Sequence, residues 1–280
     1  MADLISGRLE VDDDFEAVQA LYLESGWTDG LPIMPPTLER VEAMLASTPL
    51  SPQDIIGEIP PNWGSATVEK LAVNAMMAGC RPEYLPVIIA AVEAMCDEVF
   101  NLYAIQATTH PCAPLIIVNG PICEELGLHG GSGAFGPGWQ PNATIGRAVR
   151  LVQLNVGGAH PGVGDMSTQG APSKYTYCVA ENEEANPWEP LHIERGFRAD
   201  QSTVTVLAGE PPHNINDHSG STAEDILTII SGAISITGAN NAYTGGETLL
   251  ALGPEHAATI AGDGFGKREI REWLHQNARI

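Results

Sequence analysis

Five cysteines lie along the chain, and Cys80 has the setting most able to tune a thiol. In MAGCRPEYLPV it falls between the end of one helical pattern and the start of the next. A helix beginning at Pro82 would aim its free N–H groups and positive dipole end at the sulfur, and Arg81 adds a cation. Both favour thiolate over thiol, which makes Cys80 a candidate nucleophile or redox centre. A helix beginning nearer Pro86 weakens the dipole, and the plainer alternative is a small residue packed in an interhelical turn. Cys96 and Cys123 lack such surroundings and read as packing residues.

A second group sits in ATTHPCAPLIIVNGP, where His110 and Cys112 precede a strongly apolar strand pattern. His110 is a candidate general base toward a thiol or a substrate. A third is the glycine-rich HGGSGAFGPGWQPNATIGRAVRLV, which leads into a helix starting near Asn142. Gly131 and Gly133 would let backbone approach a ligand, Asn142 would cap the helix, and Arg147 and Arg150 follow. The spacing matches neither a dinucleotide nor a triphosphate loop, and a carboxylate-bearing small molecule suits so few basic residues.

The irregular stretch 155–196 reads as a lid or binding loop. His160, Asp165, Lys174, Tyr175, Cys178, Glu181 and His192 bring it reactive or ligating groups. Glu181, at the end of a strand pattern, is the preferred second acid/base, with Tyr175 a substrate contact. No intrinsic metal is assigned. The alternative ligand set is Cys80, Cys112 and Cys178, for a thiolate or iron–sulfur site. His213, His218 and Asp217 would be a second imidazole/carboxylate set, and neither set has diagnostic spacing.

The elements that must position these groups follow from periodicity. Helical spacing appears at Phe15, Val18 and Tyr22, and at Leu38, Val41 and Leu45 after Thr37. It recurs from Val68 to Met76 with Gly79 as C-cap, from Leu85 to Cys96, and from Ile145 to Val152. A capping box over Ser221–Glu224 opens another helix, and GPEHAATIAG and GKREIREWLHQNA close the chain. Strand patterns cover 101–108, PLIIVN, YTYCVA, TVTVLA and ETLLAL. Interleaved helices and strands predict α/β or mixed α+β architecture, with helices layered on a mixed β-sheet. The 280 residues suit a single globular unit, or two lobes with a boundary near 155–200.

The composition restricts partners. Thirty-five acidic against 13 basic residues give a net charge of −22, which repels nucleic acid and anionic membranes. No apolar run is long enough for a membrane helix, and MADLISGRLEVDDDF has no signal-peptide pattern. With odd, sparse cysteines these features point to the reducing cytoplasm. A small-molecule substrate is expected, along with a homo-oligomer or partner subunit; the cofactor is left unassigned.

The chain resembles a poorly characterised bacterial family associated with UGSC-motif (seleno)proteins. The resemblance is carried by DGLPIMPPT, VNAMMAGCRPEYLPV, TTHPCAPLIIVNGPI, GAFGPGWQPNATIGRAVRL, KYTYCVAENEEANPWEPLHIERGF and GPEHAATIAGDGFGKREI. It covers nearly the whole chain, although the UGSC tetrad itself is absent. It implies thiol chemistry and no particular reaction. The resulting expectation is a thiol-dependent oxidoreductase or lyase acting on an anionic substrate. Cys80 is the thiol, with His110 and Glu181 as acid/base groups. Arg81, Gly131, Gly133, Asn142, Arg147 and Tyr175 hold the substrate. The alternatives are a metal- or Fe–S-dependent lyase or hydratase, and a non-catalytic subunit of a complex.

Overall fold

A computed structural model describes residues 4–240 and 246–279, and its fold is mixed α+β. The chain divides into two compact units. The first runs to Glu181 and regains Phe197–Pro211; the second comprises Asn182–Gly196 and the chain from Pro212 onward.

In the first unit, α1 (Phe15–Glu24) and α2 (Leu38–Leu45) precede a hairpin of β1 (Ile55–Ile59) and β2 (Gly64–Thr67). Asp14 caps α1 by accepting the Ala17 N–H at 2.8 Å. Thr37 occupies the cap position of α2 without a side-chain bond. Helix α3 (Val68–Ala78) is capped by the Thr67 hydroxyl and ends at left-handed Gly79, where φ is 88°. A 3-10 turn over Pro82–Tyr84 then leads into α4 (Leu85–Met95). Pro86 sits in the first turn of α4, where its missing N–H leaves no bond unmade.

The predicted strand over 101–108 is instead α5 (Leu102–Ala107). Its buried residues, Leu102, Ile105 and Gln106, follow helical spacing, and the Asn101 side chain accepts the Ala104 N–H at 3.3 Å. β3 (Ala113–Asn119) is the middle strand of a mixed sheet, parallel to β4 (Cys178–Ala180) and antiparallel to β5 (Thr203–Gly209). Every β3 residue is buried, which explains why PLIIVN is continuously apolar rather than alternating. A short helix α6 (Ile122–Leu126) follows β3. The long α7 (Gln140–Asn155) then packs along α3 and touches α4 and β4, and these helices supply most of the apolar core.

The second unit contains α8 (Leu191–Glu194), α9 (Ala223–Ile234), α10 (Pro254–Gly262) and α11 (Lys267–Asn277). Its core gathers Ile226, Leu227, Ile230, Ile260 and Ile270. The capping box of α9 is Thr222 with Asp225, one residue beyond the expected Ser221–Glu224. The strand expected from ETLLAL does not form; residues 247–252 have no regular structure. Among the described residues no helix is long and apolar enough to cross a membrane.

Gly146 lets α7 approach the chain entering β4. A Cβ there would lie 2.3 Å from Thr176 Oγ1 and 2.6 Å from the Tyr177 nitrogen. Part of that obstacle is backbone, so a side-chain rotation cannot relieve it. Gly146→Ala is expected to destabilise the protein by about 1–3 kcal/mol, the usual overpacking range. Urea unfolding would measure this, and an unchanged midpoint would contradict the tight approach.

Candidate functional site

The expected acid/base groups are not gathered at Cys80, although the Arg147 charge acts on its thiol. Its thiol is 4% exposed in the apolar core, and the 3-10 turn pushes the start of α4 away from it. Burial raises the Cys80 pKa to about 12, against weaker opposition from the Thr144 hydroxyl and the Arg147 charge. The thiolate expected at this helix start is therefore not favoured, and Arg81 lies exposed at the turn. Cys178, on edge strand β4, is buried opposite Ile116 of β3, and desolvation also raises its pKa.

The acid/base pair is separated as well. Glu181 follows β4, and its Oε2 accepts a hydrogen bond from Asn119 Nδ2 at the C-terminal end of β3. His110 and Cys112 precede the same strand. Seven extended residues separate the two ends, about 20 Å at the usual rise per residue. Cys112 is likewise remote from the level of Cys178, so the proposed cluster ligands are not assembled. Among the described residues no three His, Cys, Asp or Glu side chains converge as a metal-binding group.

The glycine-loop residues have structural roles. Asn142 Oδ1 accepts the His129 N–H at 2.9 Å and its Nδ2 donates to the His129 carbonyl at 2.8 Å. It therefore pins the loop instead of capping α7, which begins earlier, at Gln140. The His129 ring stacks on Trp139 at 3.6 Å. Gly131 leaves room for that ring, which a Cβ would meet at 2.9 Å, and Gly133 has φ +78°. Arg147 Nε and Nη2 each donate to the Asp29 carboxylate at 2.8 Å, with Nη2 also donating to the Pro32 carbonyl. Burial alone would raise the Asp29 pKa; Arg147, the Leu31 N–H and the Thr28 hydroxyl overcome it and hold the carboxyl below its usual range. Tyr175 is exposed and, like Gly131, Gly133, Asn142 and Arg147, does not line the cleft described next.

That cleft lies at the N-terminal end of β3. It is narrow, with free space of about 10 Å³, partly open to solvent, and Gln106, Cys112, Arg150, Ser173, Lys174 and Tyr177 contribute to its wall. Asp165, 3% exposed, anchors its charges. Lys174 Nζ lies 2.8 Å and Arg150 Nη2 3.1 Å from Asp165 Oδ2, while Oδ1 accepts the Ser167 N–H at 3.1 Å. Arg150 Nη2 also donates to the Ala159 carbonyl at 3.2 Å. Two cations thus share one carboxylate, and Arg150 Nε and Nη1 have no partner among the described residues.

Cys112 is 7% exposed, with its sulfur 3.8 Å from the Ile105 carbonyl. Burial raises its pKa; Lys174 opposes that rise, and Asp165 and Glu210 reinforce it. His110 Nε2 lies 3.0 Å from Glu210 Oε1, and the Tyr177 hydroxyl donates to the Glu210 carbonyl at 2.9 Å. Burial pushes the Tyr177 pKa up to about 12, so the phenol remains a donor near neutral pH.

In the second unit, buried His192 lies 3.7 Å from Glu183, and His256 lies 3.9 Å from Asp217. Asp217 also accepts the Ser219 and Gly220 N–H groups. Comparisons with protein-family models, curated proteins and solved structures find no match.

Sequence spacing pointed to the cleft only in part. Cys112, Asp165 and Lys174 were legible as reactive residue types, and Arg150 as a follower of the glycine loop. Gln106 was hidden inside a segment read as strand. Ser173 and Tyr177 carried no distinguishing signal.

Two measurements test these assignments. Below pH 9 the Cys80 thiol is neutral in both folded and unfolded chains. Above it the unfolded thiol ionises, while the folded one retains its proton up to about pH 12. Stability should therefore fall across pH 9–12, with Cys80 contributing about 1.4 kcal/mol per unit. Cys80→Ser should remove that increment from the slope of urea stability against pH; parallel curves would show an accessible thiol. Arg147→Met leaves the buried Asp29 carboxylate without its cation and should cost about 3–5 kcal/mol near neutral pH. A loss below 1 kcal/mol by the same unfolding assay would show that the pair is dispensable.

Proposed function

We propose that this chain is a thiol-dependent enzyme of the oxidoreductase or lyase type, acting on a small carboxylate at the cleft beside β3. Cys112, rather than Cys80, is the reacting thiol in this reading. Lys174 and Arg150 hold the substrate carboxylate, and His110, paired with Glu210, serves as base for the thiol proton. The observation that supports the reading most is two largely buried cations sharing one carboxylate in a cleft that also contains a cysteine. Such a pair retains donors and positive charge for an anionic ligand, and low-dielectric walls strengthen their effect. The chain's overall negative field does not prevent this, because salt screens distant charges over about 8 Å.

The resemblance to the family associated with UGSC-motif proteins supports thiol chemistry. All five cysteines are free, and a reducing cytoplasmic setting would keep Cys112 available. Nucleic acid is an unsuitable partner for a chain of net charge −22.

Alkylation provides the test. Iodoacetate carries a carboxylate and iodoacetamide does not; with either reagent the thiolate displaces iodide and forms a thioether. Relative to a free thiol, Cys112 should favour iodoacetate by about tenfold, as read by peptide mass spectrometry. This corresponds to about 1.4 kcal/mol of anion recognition. The rate should still be rising above pH 9, because burial raises the thiol pKa. Lys174→Met should remove the iodoacetate preference. Equal reagent selectivity in the native protein, or modification concentrated at Cys80, would overturn the assignment.

A further inference from the structure

We infer that the first unit carries a docking surface for an arginine-bearing basic segment of a partner protein, built on the exposed stack of Trp63 and Tyr103. The two rings lie within 8° of parallel with centroids 6.1 Å apart, and the residues are 56% and 48% exposed. Three contacts hold their elements in register. The Cys96 thiol donates to the Glu58 carbonyl at 3.8 Å, Tyr103 stacks on Trp63, and Gln106 Nε2 donates to the Pro60 carbonyl. Residues 96–106, from the end of α4 through α5, therefore run along β1 and its turn. The loop after α7 joins them, because the Asn62 N–H donates to the Gly157 carbonyl and the Met166 N–H to the Gln106 carbonyl. That loop adds exposed Val163 and Met166, and Val99 is exposed between α4 and α5. A contiguous apolar surface of this kind marks a contact site, where scattered single residues would not. Trp63 also has φ +54°, a left-handed conformation that disfavours any side chain, so the turn presents its indole at a cost to the fold.

The charges around these rings select the partner. Residues 55–64, 97–107 and 158–168 contain no lysine or arginine, and Glu58, Asp97 and Glu98 are exposed among them. Lys70, just past the hairpin, is turned onto the Ser65 carbonyl at 2.8 Å. An aromatic face with an acidic rim and no fixed cation of its own complements a cation that has a flat, weakly hydrated body. Guanidinium meets both demands, stacking on ring faces and donating to carboxylates, whereas an ammonium is a strongly hydrated point charge. Trp, Tyr and Arg are also the side chains that carry most of the energy at protein–protein contacts. A second copy is the poorer occupant, since it would bring acidic rim against acidic rim with each chain at −22. The surface stands apart from the carboxylate reading, because neither Trp63 nor Tyr103 lines that cleft.

Fluorescence anisotropy on the full chain tests this with labelled peptides of equal length, alternating leucine with arginine, with lysine or with glutamate. The arginine peptide should bind about tenfold more tightly than the lysine peptide, and the glutamate peptide should not bind. Trp63→Gly and Tyr103→Ser each leave the net charge at −22 and should each weaken the arginine peptide by about tenfold. Glu98→Gln should weaken it too, whereas Glu24→Gln, the same charge change at the end of α1, should not. Equal affinity for the arginine and lysine peptides would overturn the inference. So would arginine-peptide binding untouched by both aromatic variants, since the acidic surface as a whole would then be attracting cations. A native dimer in sedimentation that Trp63→Gly dissociates would overturn it in favour of a second copy. The urea midpoint of Trp63→Gly should be unchanged or raised, because glycine adopts φ +54° freely. If that variant does not fold, Tyr103→Ser and the native-protein peptide comparison decide the matter.

Discussion

Helix α7 takes two guanidinium groups out of water three residues apart, and each must meet a carboxylate if it is to remain there. Arg147 meets Asp29, from the segment between α1 and α2, and Arg150 meets Asp165, from the loop beyond α7. Neither pair is local: Asp29 and Arg147 are 118 positions apart. An unpaired charge at such depth would cost several kcal/mol, so these contacts constrain where both irregular segments cross the helix. Burial pulls the Arg150 pKa below its usual value and Asp165 pushes it back, the balance expected of a charge retained by its partner.

The two pairs differ in what they leave available. Asp29 engages Arg147 through two nitrogens, and neighbouring carbonyls take further N–H contacts, so Arg147 fastens one segment to another. Asp165 must serve Lys174 as well as Arg150, and its second oxygen is engaged by a backbone N–H. Positive charge therefore remains in excess at the second pair. That difference in stoichiometry places the carboxylate-binding proposal at Arg150 and Lys174, although the glycine loop leads toward both arginines.

The cysteines are sorted by solvation. Cys80 adjoins a helix junction in sequence, yet the apolar core around it raises the cost of a thiolate beyond what the nearby cation and hydroxyl return. Cys112 is also buried, but it adjoins a cleft and has Lys174 among the charges acting on it. A cation close in sequence is thus less informative than the balance of desolvation and charge at the thiol.

The principal helices and the central strand were legible in the sequence because their causes are local. Apolar spacing marks α3, α4, α7 and α9, Gly79 ends α3, and the unbroken PLIIVN run identifies β3. Residues 101–108 read as strand, but a short apolar run fits either period, and packing makes it α5 with Gln106 buried against Pro60. The sequence by itself determined the types of the principal helices and of β3, and the supply of thiols and charges. Tertiary structure decided that Glu181 and His110 lie at opposite ends of β3, that Arg147 is committed to Asp29, and that Cys112 shares a cleft with Lys174. Those outcomes depend on burial and through-space distance between remote segments, which local spacing does not encode.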